Sequence, residues 1–446
     1  MRRAIELDQA ASTQAHPAAV ARVEAFLPMY SSVHRGAGFR SRRATAAYEE
    51  ARRAVLTFAG RDPDGPDVAI FVRNTTEAIN HLAYRLRLAK DDIVVTTTVE
   101  HHANLLPWGR VAERHYVECD TSGTFSVDDV TAALDAGHRT PALLAITGAS
   151  NVTGWLPPLD AIIEAAHARG VPVLVDAAQL APHRPMPVDA DYLVFSGHKL
   201  YAPFGSGALI GPRTTFATGD PFLAGGGAVD LVGLDEVIWT TPPDRDEAGS
   251  PNVIGAVALH AAIDALSAVG WDAIIEHERA LAARLFAGLT RIPGVTVLGP
   301  RGPAGHGEPV ETLPVATFTI DGMHHALVAA RLSAEFAIAV RHGCFCAHPY
   351  VIRLLGMSDE AVDTYRREVI AGDHRNIPGA VRASAGLGTS AADIDALVSA
   401  VALLAGGGES PVPYEQDIAT GDFFPVTDHP DWRHAAEELG AACSRG

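Results

Sequence analysis

Between residues 44 and 286 the chain alternates short apolar runs with longer stretches of helical spacing, and this alternation constrains its fold most strongly. Apolar runs read as strands over 67–72, 92–97, 115–119, 142–147, 171–175, 192–195 and 207–210. Helical spacing covers 45–58, 77–88 (with Thr75 and Thr76 as capping candidates) and 159–169, which ends at Gly170. Such an order predicts an α/β unit built on a mostly parallel sheet. Long helices over 252–260 and 271–289 lead out of it, and the run 295–384 mixes strands and helices as a smaller α+β unit would. The expected division is an N-terminal segment 1–43 contributing to the active site and the small unit, a large domain 44–286, a small C-terminal domain 287–405, and an extension 406–446. Pro-, Gly- and acid-rich sequence with weak periodicity makes that last part read as a mobile tail.

Two strand ends carry the chemistry. The run Val173-Leu174-Val175 ends in Asp176, with Gln179 three residues on; the run Tyr192-Leu193-Val194-Phe195 ends in Ser196-Gly197-His198-Lys199. Ligands of α/β sheets sit beyond the carboxyl ends of strands, so both side chains are placed to meet one. Taken singly, Asp176 could cap a turn and Lys199 could be a surface lysine. Lys90 and Lys199 are, however, the only lysines among 35 basic residues. An amine that can be desolvated beside an acid is the pair pyridoxal 5′-phosphate (PLP) requires: a Schiff-base lysine and a partner for the pyridinium nitrogen. Thr75 and Thr76 open a helix, an anion site suited to the phosphate, although plain capping explains them equally well. His101 follows a strand where an imidazole could stack on a pyridine ring.

These segments resemble the class V aminotransferase family of fold-type I PLP enzymes, in its cysteine desulfurase and selenocysteine lyase branch. The resemblance runs in order through Leu7-Asp8-Gln9-Ala10-Ala11-Ser12, Ser32-Val33-His34-Arg35-Gly36, Thr75-Thr76-Glu77-Ala78-Ile79-Asn80 and Glu100-His101-His102-Ala103-Asn104. It continues in Ser150-Asn151-Val152, Asp176-Ala177-Ala178-Gln179, Ser196-Gly197-His198-Lys199, Glu247-Ala248-Gly249-Ser250-Pro251-Asn252 and Val381-Arg382-Ala383-Ser384, covering roughly residues 5–405. It implies an α/β fold with a mostly parallel seven-stranded sheet and a smaller α+β domain. Lys199 would carry PLP and shuttle the Cα proton, Asp176 would pair with the ring nitrogen and Gln179 with the phenolic oxygen, and His101 would stack on the ring. Thr75, Thr76, Ser196 and His198 would hold the phosphate, helped by Ser250 of a neighbouring subunit in a homodimer. Arg382 would bind the substrate carboxylate, with His34 and Arg35 near the substrate and Asn151 near both the cofactor ring and the substrate.

Val340-Arg341-His342-Gly343-Cys344-Phe345-Cys346-Ala347 resembles the family's Arg-x-Gly-His-His-Cys-Ala loop, which makes Cys346 the candidate sulfur acceptor. The implied activity is cleavage of the C–S bond of cysteine, or of a related sulfur or selenium amino acid, to alanine and a Cys346 persulfide that a sulfur-acceptor protein could take. Cys344-Phe345 replaces the His-His pair, so β-elimination, transamination or epimerisation without a persulfide is the alternative. His342, Cys344, Cys346 and His348 alternate, but four ligands along one face of an extended stretch cannot easily wrap a tetrahedral ion, and no metal is expected. A formal charge of −18 disfavours nucleic acid and anionic membranes as partners. Four cysteines, Cys119, Cys344, Cys346 and Cys443, do not make a disulfide framework. With neither a signal-type N-terminus nor an apolar run of about 18 residues, a cytoplasmic location is expected.

Overall fold

In a computed structural model, residues 3–34, 36–300 and 310–426 are described. The large sheet has seven strands: β1 (Asp67–Val72), β2 (Ile93–Thr97), β3 (Glu113–Val117), β4 (Leu143–Thr147), β5 (Val173–Asp176), β6 (Tyr192–Ser196) and β7 (Gly207–Pro212). Their order is β1-β7-β6-β5-β4-β2-β3. All neighbours are parallel except β7, which runs antiparallel to both β1 and β6. The inner strands are continuously apolar because both faces are covered: Leu144, Val175 and Leu193 enter one core, and Leu143, Leu174 and Val194 the other. Parallel direction brings the carboxyl ends of β2, β4, β5 and β6 to one edge, where the candidate site lies.

A second, antiparallel sheet has four strands, β8 (Val295–Leu298), β9 (Val315–Ile320), β10 (Arg341–Gly343) and β11 (Ala380–Ser384), in the order β8-β9-β11-β10. Its core joins Phe318, Val381 and Ile338 to Leu281, Leu285 and Leu289 of the helix Trp271–Thr290 and to Ile394, Leu397 and Val401 of the helix Ala391–Ala405. The N-terminus is stitched to this half. Ile5–Glu6 pairs in parallel with Ile338–Ala339, Leu7 is buried in the second core, and Asp8 bridges to Ser384.

Some expectations moved. The helix Phe39–Phe58 starts six residues before 45, because Arg40, Arg42 and Arg43 mask its apolar period on an exposed face. Strand β3 begins at Glu113 rather than at 115, since pairing with β2 sets an edge strand that tolerates charge. The helix expected over 252–260 continues to Val269. The stretch 406–426 is also ordered: Tyr414–Gln416 and Phe423–Pro425 form a hairpin held by Tyr414 and Ser410 on Glu335. Strands of three residues are too short to show periodicity, which is why the region reads as tail. Residues 427–446, and with them Cys443, lie outside the described residues. Among the described residues no single helix is long and apolar enough to cross a membrane.

Glu247, from the Glu-Ala-Gly-Ser-Pro-Asn segment, ties the helix Phe39–Phe58 to the sheet edge. Its side chain is 3% exposed and accepts from Arg52 Nη1 at 2.7 Å, Tyr48 Oη at 2.7 Å and the Phe71 N–H at 2.6 Å. Arg52 also donates to the Ala69 carbonyl at 2.6 Å. Removing one member of a buried ion pair strands the other, at about 3–5 kcal/mol. Glu247→Ala is therefore expected to lower the urea unfolding midpoint substantially, and an unchanged midpoint would contradict this account.

Candidate active site at the carboxyl edge of the large sheet

A cavity of about 390 Å³ opens at this edge, against β10 and β11. It is lined by Thr75, Thr76, His101, Asn151, Asp176, Gln179, Ser196, His198, Lys199, Cys346 and Arg382, eleven of the residues singled out from the sequence. His34 is not among them. It stands at φ 68 with Nε2 on Glu49 Oε1 at 3.1 Å, in the cluster around Arg52 and Glu247. Ser250 is exposed and outside this chain's cavity, and Arg35 lies outside the described residues.

Asp176 closes β5 and is 5% exposed, its Oδ1 accepting the Ala178 N–H at 3.0 Å. Burial raises its carboxyl above the usual range against the pull of that hydrogen bond and of Lys199. Lys199 stands half-buried just past β6, and desolvation lowers its amine to about 8 although Asp176 favours the charged form. Such an amine holds far more free base near neutrality than an ordinary lysine. Gly197 belongs to this turn for steric reasons: a Cβ there would stand 2.8 Å from the Ser206 carbonyl oxygen.

One wall of the cavity is built from the end of β6 and the start of the helix Thr75–Arg85. Asn74, not Thr75 or Thr76, caps that helix through its side chain on the Glu77 N–H. Thr75 is instead turned to Ser196, whose Oγ lies 2.8 Å from the Thr75 N–H and 2.7 Å from Thr75 Oγ1. Gln179 donates its amide to the Ala10 carbonyl at 2.7 Å, so the N-terminal segment positions it. Burial, then Lys199, lowers His198 to about 4, which keeps it neutral.

The loop that presents His101 is anchored by its neighbour Glu100, a role that no local signal in the sequence reveals. Glu100 is 1% exposed and receives Thr97 Oγ1 at 2.8 Å, Asn104 Nδ2 at 2.7 Å and the Thr147 N–H at 2.9 Å, binding the loop after β2 to the end of β4. Burial pushes its carboxyl up to about 8. His101 Nδ1 accepts the Ala103 N–H at 3.0 Å, which makes Nε2 the protonated nitrogen of the neutral ring; burial, then Lys199, lowers the imidazole to about 3.

Arg382 comes from β11 and is 3% exposed, with Nη1 on the Asn151 carbonyl at 2.9 Å, Nη2 on Asp8 Oδ1 at 2.8 Å, and its guanidinium 5.0 Å from the Phe345 ring centre. Asp8 was quoted only as part of the opening motif; no local signal in the sequence reveals that it neutralises Arg382. The arginine's buried Nε has no hydrogen-bond partner among the described residues.

The cysteine loop does not alternate as an extended strand would. Phe345 (φ 52) and Cys346 (φ 55) are both left-handed, at about 1–3 kcal/mol each for residues with a Cβ. That turn sends the side chains of His342, Cys344, Cys346 and His348 to different partners. Cys344 is buried with Sγ 2.7 Å from the Pro378 carbonyl, His342 Nε2 meets Asp422 of the C-terminal hairpin at 3.2 Å, and His348 Nδ1 meets His102 Nε2 at 3.2 Å. Cys346 alone of the two cysteines is exposed, on the cavity wall that Lys199 and Arg382 also line. Burial pushes the Cys344 thiol up to about 12, so it stays protonated at pH 8. Iodoacetamide at pH 8 is expected to alkylate Cys346 and spare Cys344 in the native protein, as read by peptide mass mapping; labelling of Cys344 at a comparable rate would contradict the geometry.

Known proteins place this arrangement in a family. The aminotransferase class-V family model matches residues 5–397. A cysteine desulfurase of Pectobacterium atrosepticum is 35% identical over 406 residues, covering 88% of this chain and 91% of its own length. Another, from Dickeya dadantii, is 38% identical over 360 residues, with 78% and 84% covered. Among solved structures, the apo cysteine desulfurase of Thermococcus onnurineus NA1 superimposes with a TM-score of 0.78 at 30% identity, covering 91% of this chain and 95% of that one. The cysteine desulfurase CsdA (S-sulfonic acid) of Escherichia coli gives 0.74 at 31%, covering 89% and 94%. Both sheets and the cavity between them fall within the matched span, and the chain belongs to the aminotransferase class-V family.

Proposed function

We propose that the chain is a PLP-dependent cysteine desulfurase that takes sulfur from cysteine, or a related sulfur or selenium amino acid, leaving alanine and a persulfide on Cys346. The observation that carries this reading is that Lys199, Arg382 and Cys346, contributed by distant segments, line one cavity. Family membership implies PLP, and the donor set suits it: a half-buried amine, a buried carboxylate, a hydroxyl-rich helix start and a neutral imidazole on the wall. In this reading Lys199 would carry the cofactor, with Asp176 at the ring nitrogen, Gln179 at the phenolic oxygen and His101 against the ring. Thr75, Thr76, Ser196 and His198 would hold the phosphate. When bound, PLP supplies an electron sink for the pair left at Cα.

The chain's own residues would do the rest. Arg382, kept charged by Asp8, would seat the substrate carboxylate beside Asn151, its planar fork suited to two oxygens. The Lys199 amine would take the Cα proton, a task favoured by its lowered pKa. The Cys346 thiolate would attack the substrate sulfur: an S–S bond forms as the Cβ–S bond breaks, and the electron pair left on carbon is protonated to give alanine. Exposure of Cys346 at the cavity wall would let an acceptor protein collect the sulfur. A second reading, β-elimination, draws on Phe345, which puts an apolar ring where the family's loop carries an imidazole. Incubated with cysteine and a reductant, the purified protein is expected to release alanine and sulfide in equal amounts, and Cys346→Ala is expected to abolish both. Pyruvate and ammonia with Cys346→Ala still active would establish elimination instead.

A homodimer belongs to the same proposal. The hairpin formed by Val229–Val232 and Val237–Trp239 holds Leu231, Val232, Leu234, Val237 and Ile238 exposed, an apolar patch on a two-stranded arm. Close by in sequence, Ser250 is exposed and free to reach a partner's phosphate cradle. Sedimentation velocity is expected to give a dimer, and the double variant Val232→Asp, Ile238→Asp a monomer; a dimer that survives both changes would place the interface elsewhere.

A further inference from the structure

The left-handed turn at Phe345 and Cys346 is closed by the Ala347 N–H on the Cys344 carbonyl at 2.8 Å, and three further groups hold it from outside. Asn151 Nδ2 donates to the Phe345 carbonyl at 2.7 Å. The other two belong to one residue, His102, which follows His101 on the loop after β2. Its backbone N–H donates to the Cys346 carbonyl at 2.7 Å. Its ring Nε2 accepts the backbone N–H of His348 at 3.2 Å and faces His348 Nδ1 at the same distance. The two rings lie parallel, 5.0 Å apart at 10°. His102 thus grips the chain just after Cys346 twice, at the cysteine's own carbonyl and at the amide two residues later. It does so without lining the cavity.

Its chemistry fits that grip. To accept the His348 amide, Nε2 of His102 must carry a lone pair, so the ring must be neutral with its proton on Nδ1. Burial lowers both imidazoles below the usual histidine range. Among the described residues no carboxylate pairs with either ring. Because Glu100 anchors the same loop to the sheet, the grip connects the cysteine turn to the rigid edge that also presents His101.

We infer that His102 is a positioning residue for Cys346: its neutral ring latches the cysteine turn in the left-handed conformation that presents the thiol to the cavity. The inference rests on the reading of Cys346 as sulfur acceptor. It separates two halves of the reaction, because removal of the Cα proton by Lys199 does not need the latch and transfer of sulfur does.

The test compares His102→Leu and His102→Gln with the wild-type holoenzyme. The glutamine amide oxygen reaches about where Nε2 stands and accepts the His348 N–H; leucine offers no acceptor. In His102→Leu, formation of the Cys346 persulfide, followed by mass spectrometry, is expected to slow about tenfold, the factor that corresponds to one or two lost hydrogen bonds. Cofactor absorbance and exchange of the substrate Cα proton in deuterated water are expected to stay at wild-type levels. His102→Gln is expected to recover most of the lost rate. An unchanged persulfide rate in His102→Leu, a parallel loss of Cα exchange, or a glutamine variant no better than leucine would overturn the inference. Cys346→Ala, run alongside, separates the two claims: if it still releases sulfide at the wild-type rate, the acceptor reading fails. The latch then stands or falls on amide exchange in the 344–354 peptide, which His102→Leu must accelerate.

Discussion

A half-buried amine and a buried carboxylate at the ends of two neighbouring parallel strands set the terms for the rest of this structure. Lys199 and Asp176 are each driven toward neutrality by burial and each drawn back toward charge by the other. That balance exists only because β5 and β6 run side by side in the same direction. A parallel sheet in turn requires helices on both faces, which accounts for the two apolar cores above and below it. The lowered pKa of the Lys199 amine is a consequence of where these two strand ends lie.

The second half of the site is supplied by the smaller sheet, and its charges are managed differently. Arg382 is almost wholly buried, and the carboxylate that keeps it so comes from the far N-terminus. Leu7, beside Asp8, is packed into the core beneath β11, so the same short segment fastens the sheet and balances the arginine. Gln179 reaches back to Ala10 on that segment as well. Three parts of the chain that are hundreds of residues apart therefore fix one another around the cavity. The cysteine turn is the junction: Phe345 lies under the guanidinium, Asn151 holds its carbonyl, and Tyr350, just beyond, is anchored on Gly123 and Thr153 of the large half.

Where the chain departs from its family's pattern, the structure shows what replaces it. Cys344 occupies one imidazole position as a buried thiol bound to the Pro378 carbonyl, a packing residue. His342, the variable position of the loop, turns to Asp422 in the ordered part of the C-terminal extension. The extension thereby touches the wall of the cavity, which its composition had not indicated. Short strands made of Tyr, Glu, Gln, Phe and Pro carry no helical or alternating signal, and their order comes from contacts with Glu335 and with the helix that bears it.

Much was legible beforehand because it is local. A strand buried on both faces must be continuously apolar, so the strands of the large sheet and the polar residues at their ends stand out, and with them Asp176, Gln179, Ser196, His198 and Lys199. Motif resemblance added Arg382 and Cys346. What local sequence does not contain is pairing between distant segments: Asp8 with Arg382, Glu247 with Arg52, Asp422 with His342, His102 with His348. Nor does it reveal that two consecutive residues with side chains adopt left-handed backbone at the cysteine, or that His34 points to Glu49 and away from the cavity. The sequence by itself determined which elements form and which atoms could react. Tertiary structure alone decided which charges meet, because burial and the Coulomb attraction of a particular partner depend on distances that no stretch of chain encodes alone.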